Sequence, residues 1–305
     1  MATQSLDQSD AAAPTANSGF GNDGQFHVSN GRIIDPSGNS FVAKGINVQS
    51  DQVDPATLFS TFPGLNAVRV PTTPGADLGP IDNMVNQLTS KGVVVMLEDH
   101  TSSGGNPNTL EGQPLADEAK WYADIASRYQ SNPFVWFGTA NEPDNTANMS
   151  AINTQESAIY DAIRGTGSQA MIVLETRGGF TADAALKDPG LFGQMTNTAW
   201  DVHYYGWVSN FSQDTGTIAS ALQKEISDAQ SVYSKDGLMP VVVGEYGPST
   251  TGSGSYDSNG LQVVDAVNHS GKGTFAWAWN AGSDTLVNNG NLTDFGQMVA
   301  QHIAG

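Results

Sequence analysis

The chain has 305 residues, enough to bury a large core as one α/β barrel or as two smaller domains. Its formal net charge of −19 argues against nucleic acid, whose phosphates would repel this surface, and the absence of cysteine excludes disulfides, thiolate nucleophiles and cysteine-held metals. No run approaches the ~18 apolar residues of a membrane span, and a charged fraction of 14% beside abundant Gly, Asn, Ser and Thr reads as extracellular.

Residues 1–24 are rich in Ala, Ser, Gln, Asp and Gly, and read as a disordered leader or linker. They carry no basic n-region and no apolar h-region, so they are not a signal peptide, and a secretory leader is expected to be absent from this sequence. From Gln25 the texture changes. Phe26-His-Val and Arg32-Ile-Ile flank Asn30-Gly31, a two-residue hairpin signal, and Pro36-Ser-Gly-Asn supplies a second turn. A short hairpin is expected to close the bottom of the domain.

An alternation then repeats to the end of the chain. Eight strands are expected, at Phe41–Asn47, Ala67–Pro71, Val93–His100, Val135–Glu142, Met171–Arg177, Ala199–Tyr205, Val241–Tyr246 and Thr274–Asn280. Helical periodicity separates them. Ile81, Met84, Val85 and Leu88 mark one helix, which ends at Lys91-Gly92. Leu115, Tyr122, Ile125, Ala126 and Tyr129 mark another, and Met149, Ile152, Ile159 and Ile163 a third. Ile218, Leu222, Ile226, Ala229 and Val232 mark a fourth, and Leu292, Phe295, Val299 and Ile303 the closing one; the periodicity is weaker after strands one, five and seven. The fold class expected is α/β, a single (β/α)8 barrel over residues 25–305 with an N-terminal β-hairpin. A doubly wound sheet is the competing architecture, but Gly45-Ile-Asn-Val after the first strand is not the glycine-rich phosphate turn it needs.

The strand ends collect polar and aromatic residues. Strand two ends in Arg69-Val-Pro, strand three in Glu98-Asp-His100, and strand four in Asn141-Glu142, where Pro143 cannot continue a central ladder. Strand six ends in His203-Tyr-Tyr205, strand seven in Glu245-Tyr-Gly and strand eight in Trp277-Ala-Trp279-Asn. In a (β/α)8 barrel that lip is where chemistry is done. Glu142 and Glu245 form a carboxylate pair of the kind that cleaves glycosidic bonds, one protonating the leaving oxygen and the other attacking or activating water. Arg69 can hold one carboxylate ionised while a less polar setting raises the other, and Trp279 offers a flat face to a pyranose ring.

The segments FHVSNGRIIDPSGNSFVAKGIN, LNAVRVP, VVVMLEDH, NEP, HYY, VVVGEYG and AWAWN, in this order, resemble glycoside hydrolase family 5, within the clan of retaining (β/α)8 glycosidases. The resemblance runs from about Phe26 to the end of the chain. It implies Glu142 as acid/base and Glu245 as nucleophile. It further implies Asn141 bonded to the 2-hydroxyl of the sugar, Arg69 and Tyr205 orienting Glu245, His100 and His203 lining the same subsite, and Trp279 as the stacking tryptophan. The family's strand-one loop often reads Gly-Ile-Asn-His, whereas Gly45-Ile-Asn-Val-Gln49 stands here. Strand three is similar to the β-mannanase branch, while Asn141-Glu142-Pro143 is the endoglucanase spelling, so glucan and mannan both stay open.

The expectation is a retaining endo-β-1,4-glycanase for a neutral plant-type polysaccharide, monomeric and secreted. Its partner is that polysaccharide or an oligosaccharide, with no nucleic acid, no membrane, no cofactor and no metal. His100 and His203 with Asp99, Asp201 and the glutamates could be read as a metal site, yet the spacing matches no H-E-x-x-H helix, and acetal hydrolysis needs no metal. A serine hydrolase would need the G-x-S-x-G elbow, which is missing. A non-catalytic sugar-binding barrel has no reason to keep both glutamates, and an exo-acting β-glycosidase of the same fold is the nearer alternative. Trp200, Trp207, Tyr204 and Tyr246 read as core or as sugar platforms, Trp200 as core.

Overall fold

The structure, a computed structural model, describes residues 24–102, 105–206, 215–249 and 258–305; most of the expected leader, and Trp207, lie outside them. Eight parallel strands close into a barrel: β1 (Lys44–Asn47), β2 (Ala67–Thr72), β3 (Val94–Asp99), β4 (Val135–Gly138), β5 (Ile172–Glu175), β6 (Thr198–Tyr205), β7 (Val241–Gly247) and β8 (Gly273–Ala276). Each pairs with its successor in the chain, and β8 closes on β1. Helices α1 (Pro55–Thr61), α2 (Leu78–Thr89), α3 (Gly112–Arg128) and α4 (Met149–Gly165) follow the first four strands. Two short helices, α5 (Asp183–Lys187) and α6 (Pro189–Phe192), follow β5, and α7 (Thr215–Gln230), α8 (Ser258–Asn268) and α9 (Asp294–Ala304) complete the ring. Asp54, Asp77 and Thr293 cap α1, α2 and α9 by accepting from Ala56, Gly79 and Gly296 backbone N–H groups.

Several strands are shorter than expected, among them β5, which stops at Glu175 rather than Arg177. β4 stops at Gly138, so Asn141 and Glu142 stand in the loop beyond it, and β8 stops at Ala276 rather than Asn280. Ser40–Phe41 pairs with the N-terminal hairpin instead of extending β1.

The two-residue period of the strands sorts the core into two layers. Val68, Val70, Val95, Leu97, Phe137, Ile172, Leu174, Trp200, Val202 and Val243 face outward and pack under the helices. Ala67, Val94, Met96, Trp136, Val173, Ala199, Val242 and Phe275 alternate with them and fill the barrel interior near its bottom. There the N-terminal sheet acts as a plug. His27–Ser29 and Arg32–Ile34 form a hairpin whose turn residues Asn30 and Gly31 have φ of 49° and 72°, the left-handed pair that a two-residue turn of this hand requires. Phe26, Val28 and Ile33 of this sheet join the interior cluster, and Phe26 meets Trp136 edge-on at 5.2 Å. Asn197 fixes the plug by donating to Phe26 O (3.0 Å) and accepting from Val28 N (3.1 Å). The bottom is sealed with apolar surface, which leaves the other end for chemistry.

Outward-facing Asp99 breaks the apolar pattern under α3. Its backbone N–H donates to Tyr122 Oη (2.9 Å), and the neighbouring Glu118, also buried, accepts from Gln155 Nε2 of α4 at 3.1 and 3.3 Å. Burial, and then the charge of Asp99, push the Glu118 carboxyl up to about 8. An unfolded glutamate titrates near ~4.3. Between that value and about 8 the folded chain keeps a proton that the unfolded chain has released, so stability falls as pH rises through this window. Glu118→Gln is expected to flatten that fall and to raise the unfolding free energy at the alkaline end, by no more than about 5 kcal/mol at ~1.4 kcal/mol per pKa unit. Urea unfolding at both ends of the window checks this, and a native slope in the variant contradicts it.

Candidate active site

At the open end the inward row turns polar. Arg69 lies two residues above Ala67 in β2, shares its inward face and is fully buried. Its Nη1 donates to Glu245 Oε1 (2.6 Å) and to Asn47 Oδ1 (2.8 Å). Nε donates to Glu98 Oε2 (3.0 Å), and Nη2 donates to Glu98 Oε1 and to Asn141 Oδ1 (2.9 Å). Asp201 Oδ2 is 3.9 Å from Nε. One guanidinium thus ties together residues of β1, β2, β3 and β7 and the loop after β4.

Two strand glycines make room for this network. A Cβ at Gly138 would overlap the Glu98 carboxylate, and one at Gly244 would overlap that of Asp201. Gly244 N also donates to Asp201 Oδ1 (2.5 Å), and its carbonyl accepts from Asn47 Nδ2 (2.9 Å).

Glu245 follows Gly244, at a register shift between β7 and β6. Its Oε1 faces Arg69 and His100 Nε2 (3.1 Å), and its Oε2 accepts from Tyr205 Oη (2.8 Å). Burial alone would raise this carboxyl. The charges of His203 and Arg69, with the His100 contact, outweigh burial and hold it well below the usual carboxylate range.

Glu142 is placed differently. Its φ of 46° lies in the left-handed region, uncommon for a residue with a side chain. Asn108 clamps this bend, donating to Glu142 O (2.9 Å) and accepting from Asp144 N (2.6 Å). The side chain stays partly open to solvent, with Oε1 2.9 Å from His203 Nδ1. The same nitrogen is 3.5 Å from Glu245 Oε2, so the imidazole stands between the two glutamates. An oxygen of Glu142 and an oxygen of Glu245 lie within 4.8 Å of each other.

The structure therefore brings Glu142, Glu245, Arg69, Asn141, His100, His203 and Tyr205 into one cluster. It does not bring Trp279. That ring packs edge-on against Phe62 at 6.3 Å, on the helix side of the barrel. Trp277 instead stacks on His100, whose Nε2 faces Glu245, with ring centres 5.1 Å apart and planes 13° from parallel. Tyr204 and Tyr246 are buried core residues rather than platforms, their hydroxyls donating to Ile218 O (3.2 Å) and Asn268 Oδ1 (2.8 Å), and Trp200 packs on Phe192.

Four buried residues of the network stood outside the expected set: Asn47, Glu98, Glu175 and Asp201. Strand parity is the signal that finds Glu98, Glu175 and Asp201, since each lies an even number of residues from an interior apolar residue of its own strand. Too few cations serve this many acids. Burial and the neighbouring Glu175 carboxylate push Asp201 up to about 7, against the pull of His203 and Arg69. Glu142, His203 and Glu245, and likewise Glu175, Asp201 and His203, gather in sets whose atoms could hold a metal ion. Protons on both imidazole nitrogens would satisfy the same atoms, and neither set is assigned as a metal site. Beside His100 a cavity of about 370 Å³ opens, lined by Gln49, Asp51, Thr72, Thr73 and Asp77.

The model of the family described as cellulase (glycosyl hydrolase family 5) matches residues 36–283. The chain belongs to glycosyl hydrolase family 5. Relatives include a mannan endo-1,4-β-mannosidase of Streptomyces lividans, 25% identical over 88% of this chain and 70% of that protein. An endoglucanase of Pectobacterium carotovorum is also 25% identical, over 84% of this chain and 50% of its own length. Among solved structures, the mannohexaose complex of a Thermomonospora fusca β-mannanase superposes with a TM-score of 0.70, at 19% identity, over 91% of this chain and 94% of that one.

For this family 5 chain Arg69 is expected to matter in two separable ways. Arg69→Met leaves buried carboxylates without their counter-charge and lowers stability by about 3–5 kcal/mol. Arg69→Lys keeps a charge but loses the planar fork. With less support for its ionised form, Glu245 takes up a proton at higher pH, so the acidic limb of the pH–rate profile for glycan hydrolysis moves to higher pH. Full activity with an unmoved acidic limb in Arg69→Lys contradicts the assignment.

Proposed function

We propose that this chain is a retaining endo-β-1,4-glycanase acting on a neutral β-glucan or β-mannan. The observation that carries the proposal is the approach of Glu142 and Glu245 to within 4.8 Å, oxygen to oxygen. Retaining glycosidases keep their two carboxyl groups about 5–5.5 Å apart for direct attack on the sugar, whereas inverting ones leave ~6.5–9.5 Å for a water. The spacing supports the first.

In this reading Glu245 is the nucleophile, since its surroundings favour the ionised form, and Glu142 is the acid/base at the solvent-facing side. Glu245 attacks the anomeric carbon while Glu142 gives its proton to the departing glycosidic oxygen. Water then adds, its proton passing to Glu142, and the glycosyl ester on Glu245 breaks with net retention. Arg69, Tyr205 and His100 fix the carboxylate in attack position. Asn141 Nδ2 uses one hydrogen on Ser102 O (3.1 Å), and its second is available to the sugar 2-hydroxyl. Trp277 replaces Trp279 as the apolar face for the pyranose.

Endo-action on β-1,4 chains is supported by the names of the relatives, which divide between mannan and glucan. The net charge of −19 disfavours polyanionic glycans, and the composition suits work outside the cell. The experiment is a panel of soluble cellulose, glucomannan, galactomannan, xylan and mixed-linkage glucan, with products sized and their anomeric form followed by NMR. Internal cleavage of a glucan or mannan with retention is expected. Glu142→Ala is expected to keep glycosylation from an activated aryl glycoside and to be accelerated by azide, which needs no general base. Glu245→Ala is expected to be inactive on the same substrate. Inverted product, or hydrolysis confined to aryl monosaccharides, contradicts the reading.

A further inference from the structure

The end of β5 and the loop behind it reach His203 and the chain just after Glu142, and double displacement by two glutamates gives them no part. Glu175 closes β5 with its side chain inside the barrel, fully buried, and its Oε2 is 3.2 Å from His203 Nε2. Asp201 Oδ2 is 4.0 Å from the same nitrogen. None of these three atoms has a hydrogen bond of good geometry among the described residues, so they face one another and little else. On the opposite edge of the ring Nδ1 faces Glu142 at 2.9 Å and Glu245 at 3.5 Å. Where ionised carboxylates face both nitrogens, each nitrogen must carry a hydrogen, since an ionised carboxylate can only accept.

The ring is also held in place by backbone. Gly179 lies against it with φ of 78°, where a Cβ would come within 2.7 Å of His203 Nδ1, and Gly179 O accepts from His203 N. The adjoining Gly178 N donates to Pro143 O (2.9 Å), and Arg177 pairs with Asp144 (3.2 Å). The same short segment therefore supports His203 and the loop that carries Glu142.

We propose that Glu175 is a positioning residue for the double displacement, keeping His203 doubly protonated and fixed between Glu142 and Glu245 so that one cation serves both. This rests on the assignment of those two glutamates. In the first step the bond from Glu245 to the anomeric carbon forms, the glycosidic bond breaks and the Glu142 proton leaves with the alcohol. The negative charge has passed from Glu245 to Glu142. In the second step a water oxygen bonds to the anomeric carbon, its proton goes to Glu142, and the ester bond breaks to return the charge to Glu245. His203 gives up no proton in either step and stays within reach of the charge throughout. The charged groups around it are Glu142, Glu175, Asp201 and Glu245, with Glu98 and Arg69 beyond. Burial opposes its charge, but the surrounding acids outweigh burial and hold the imidazolium well above the ordinary histidine range.

Glu175→Gln removes the charge at constant shape, and Glu175→Asp restores it. In Glu175→Gln, kcat is expected to fall about 10- to 100-fold through lost positioning, with KM nearly unchanged. The alkaline limb of the kcat profile moves to lower pH as His203 becomes free to lose its proton. Glu175→Asp regains part of kcat and most of the limb. Nitrogen-15 NMR of histidine-labelled protein reads the ring directly, with only 5 histidines to resolve. The native chain should show His203 as imidazolium above neutral pH. A neutral His203 in the native chain overturns the proposal without any variant having to fold. Native kinetics in Glu175→Gln overturn it as well, because the charge would then be held without serving the reaction. Failure of the two-glutamate assignment reads differently: inverted product, or loss of azide rescue, with His203 still an imidazolium.

Discussion

A guanidinium shut away from water has to place its five N–H donors on protein acceptors, and at Arg69 this requirement organises the top of the barrel. Its acceptors come from Asn47, Glu98, Asn141 and Glu245, which arrive from different strands and from one loop. A shift in any of them would strand a buried charge or a buried amide. The acids, in turn, outnumber the buried cations, and burial beside other carboxylates raises Glu98 and pushes Asp201 up to about 7. Glu245 escapes this rise because His203, Arg69 and His100 all converge on it. Glu245 is thereby favoured as an anion beside Glu98 and Asp201, which burial pushes toward their protonated forms, and a nucleophile in double displacement needs the ionised form.

The two ends of the barrel divide the work of the sequence. Below, apolar interior residues meet the plug of Phe26, Val28 and Ile33. Above, the same inward positions carry Arg69, Glu98, Glu175, Asp201 and His203, and glycines at 138 and 244 leave the space their side chains need. Packing energy gathered at the bottom and under the helices supports a polar cluster that contributes little stability of its own.

Much of this was legible in the chain itself. The strand-and-helix alternation pointed to the barrel because eight apolar strand bodies recur at regular spacing, and Asn30-Gly31 pointed to the hairpin because few other pairs tolerate two left-handed residues in a row. Glu142 and Glu245 stood out at strand ends. Glu175 did not, since no short motif marks it and only the inward parity of its strand does, and Asp201 entered only as a possible metal ligand. The run of β4 to Glu142 was overextended because a polar loop that keeps an extended texture cannot be told from a strand by hydrophobicity. Trp279 is named in the sequence as a flat face and by resemblance, but which of two neighbouring rings stacks on His100 depends on how the chain leaves β8 at Ala276, a matter of backbone path rather than composition.

The assignment of Glu245 as the residue that bonds to sugar is the centre of the account, and chemical trapping reads it most directly. A 2-deoxy-2-fluoro glycoside with an activated leaving group destabilises the second transition state and lets the covalent intermediate accumulate. Incubated with the full chain, digested and sequenced by mass spectrometry, it should leave one glycosyl group on the peptide containing Glu245, and none on a Glu245→Gln chain. A sugar attached to another carboxylate, or hydrolysis with inversion and no adduct, would contradict the account.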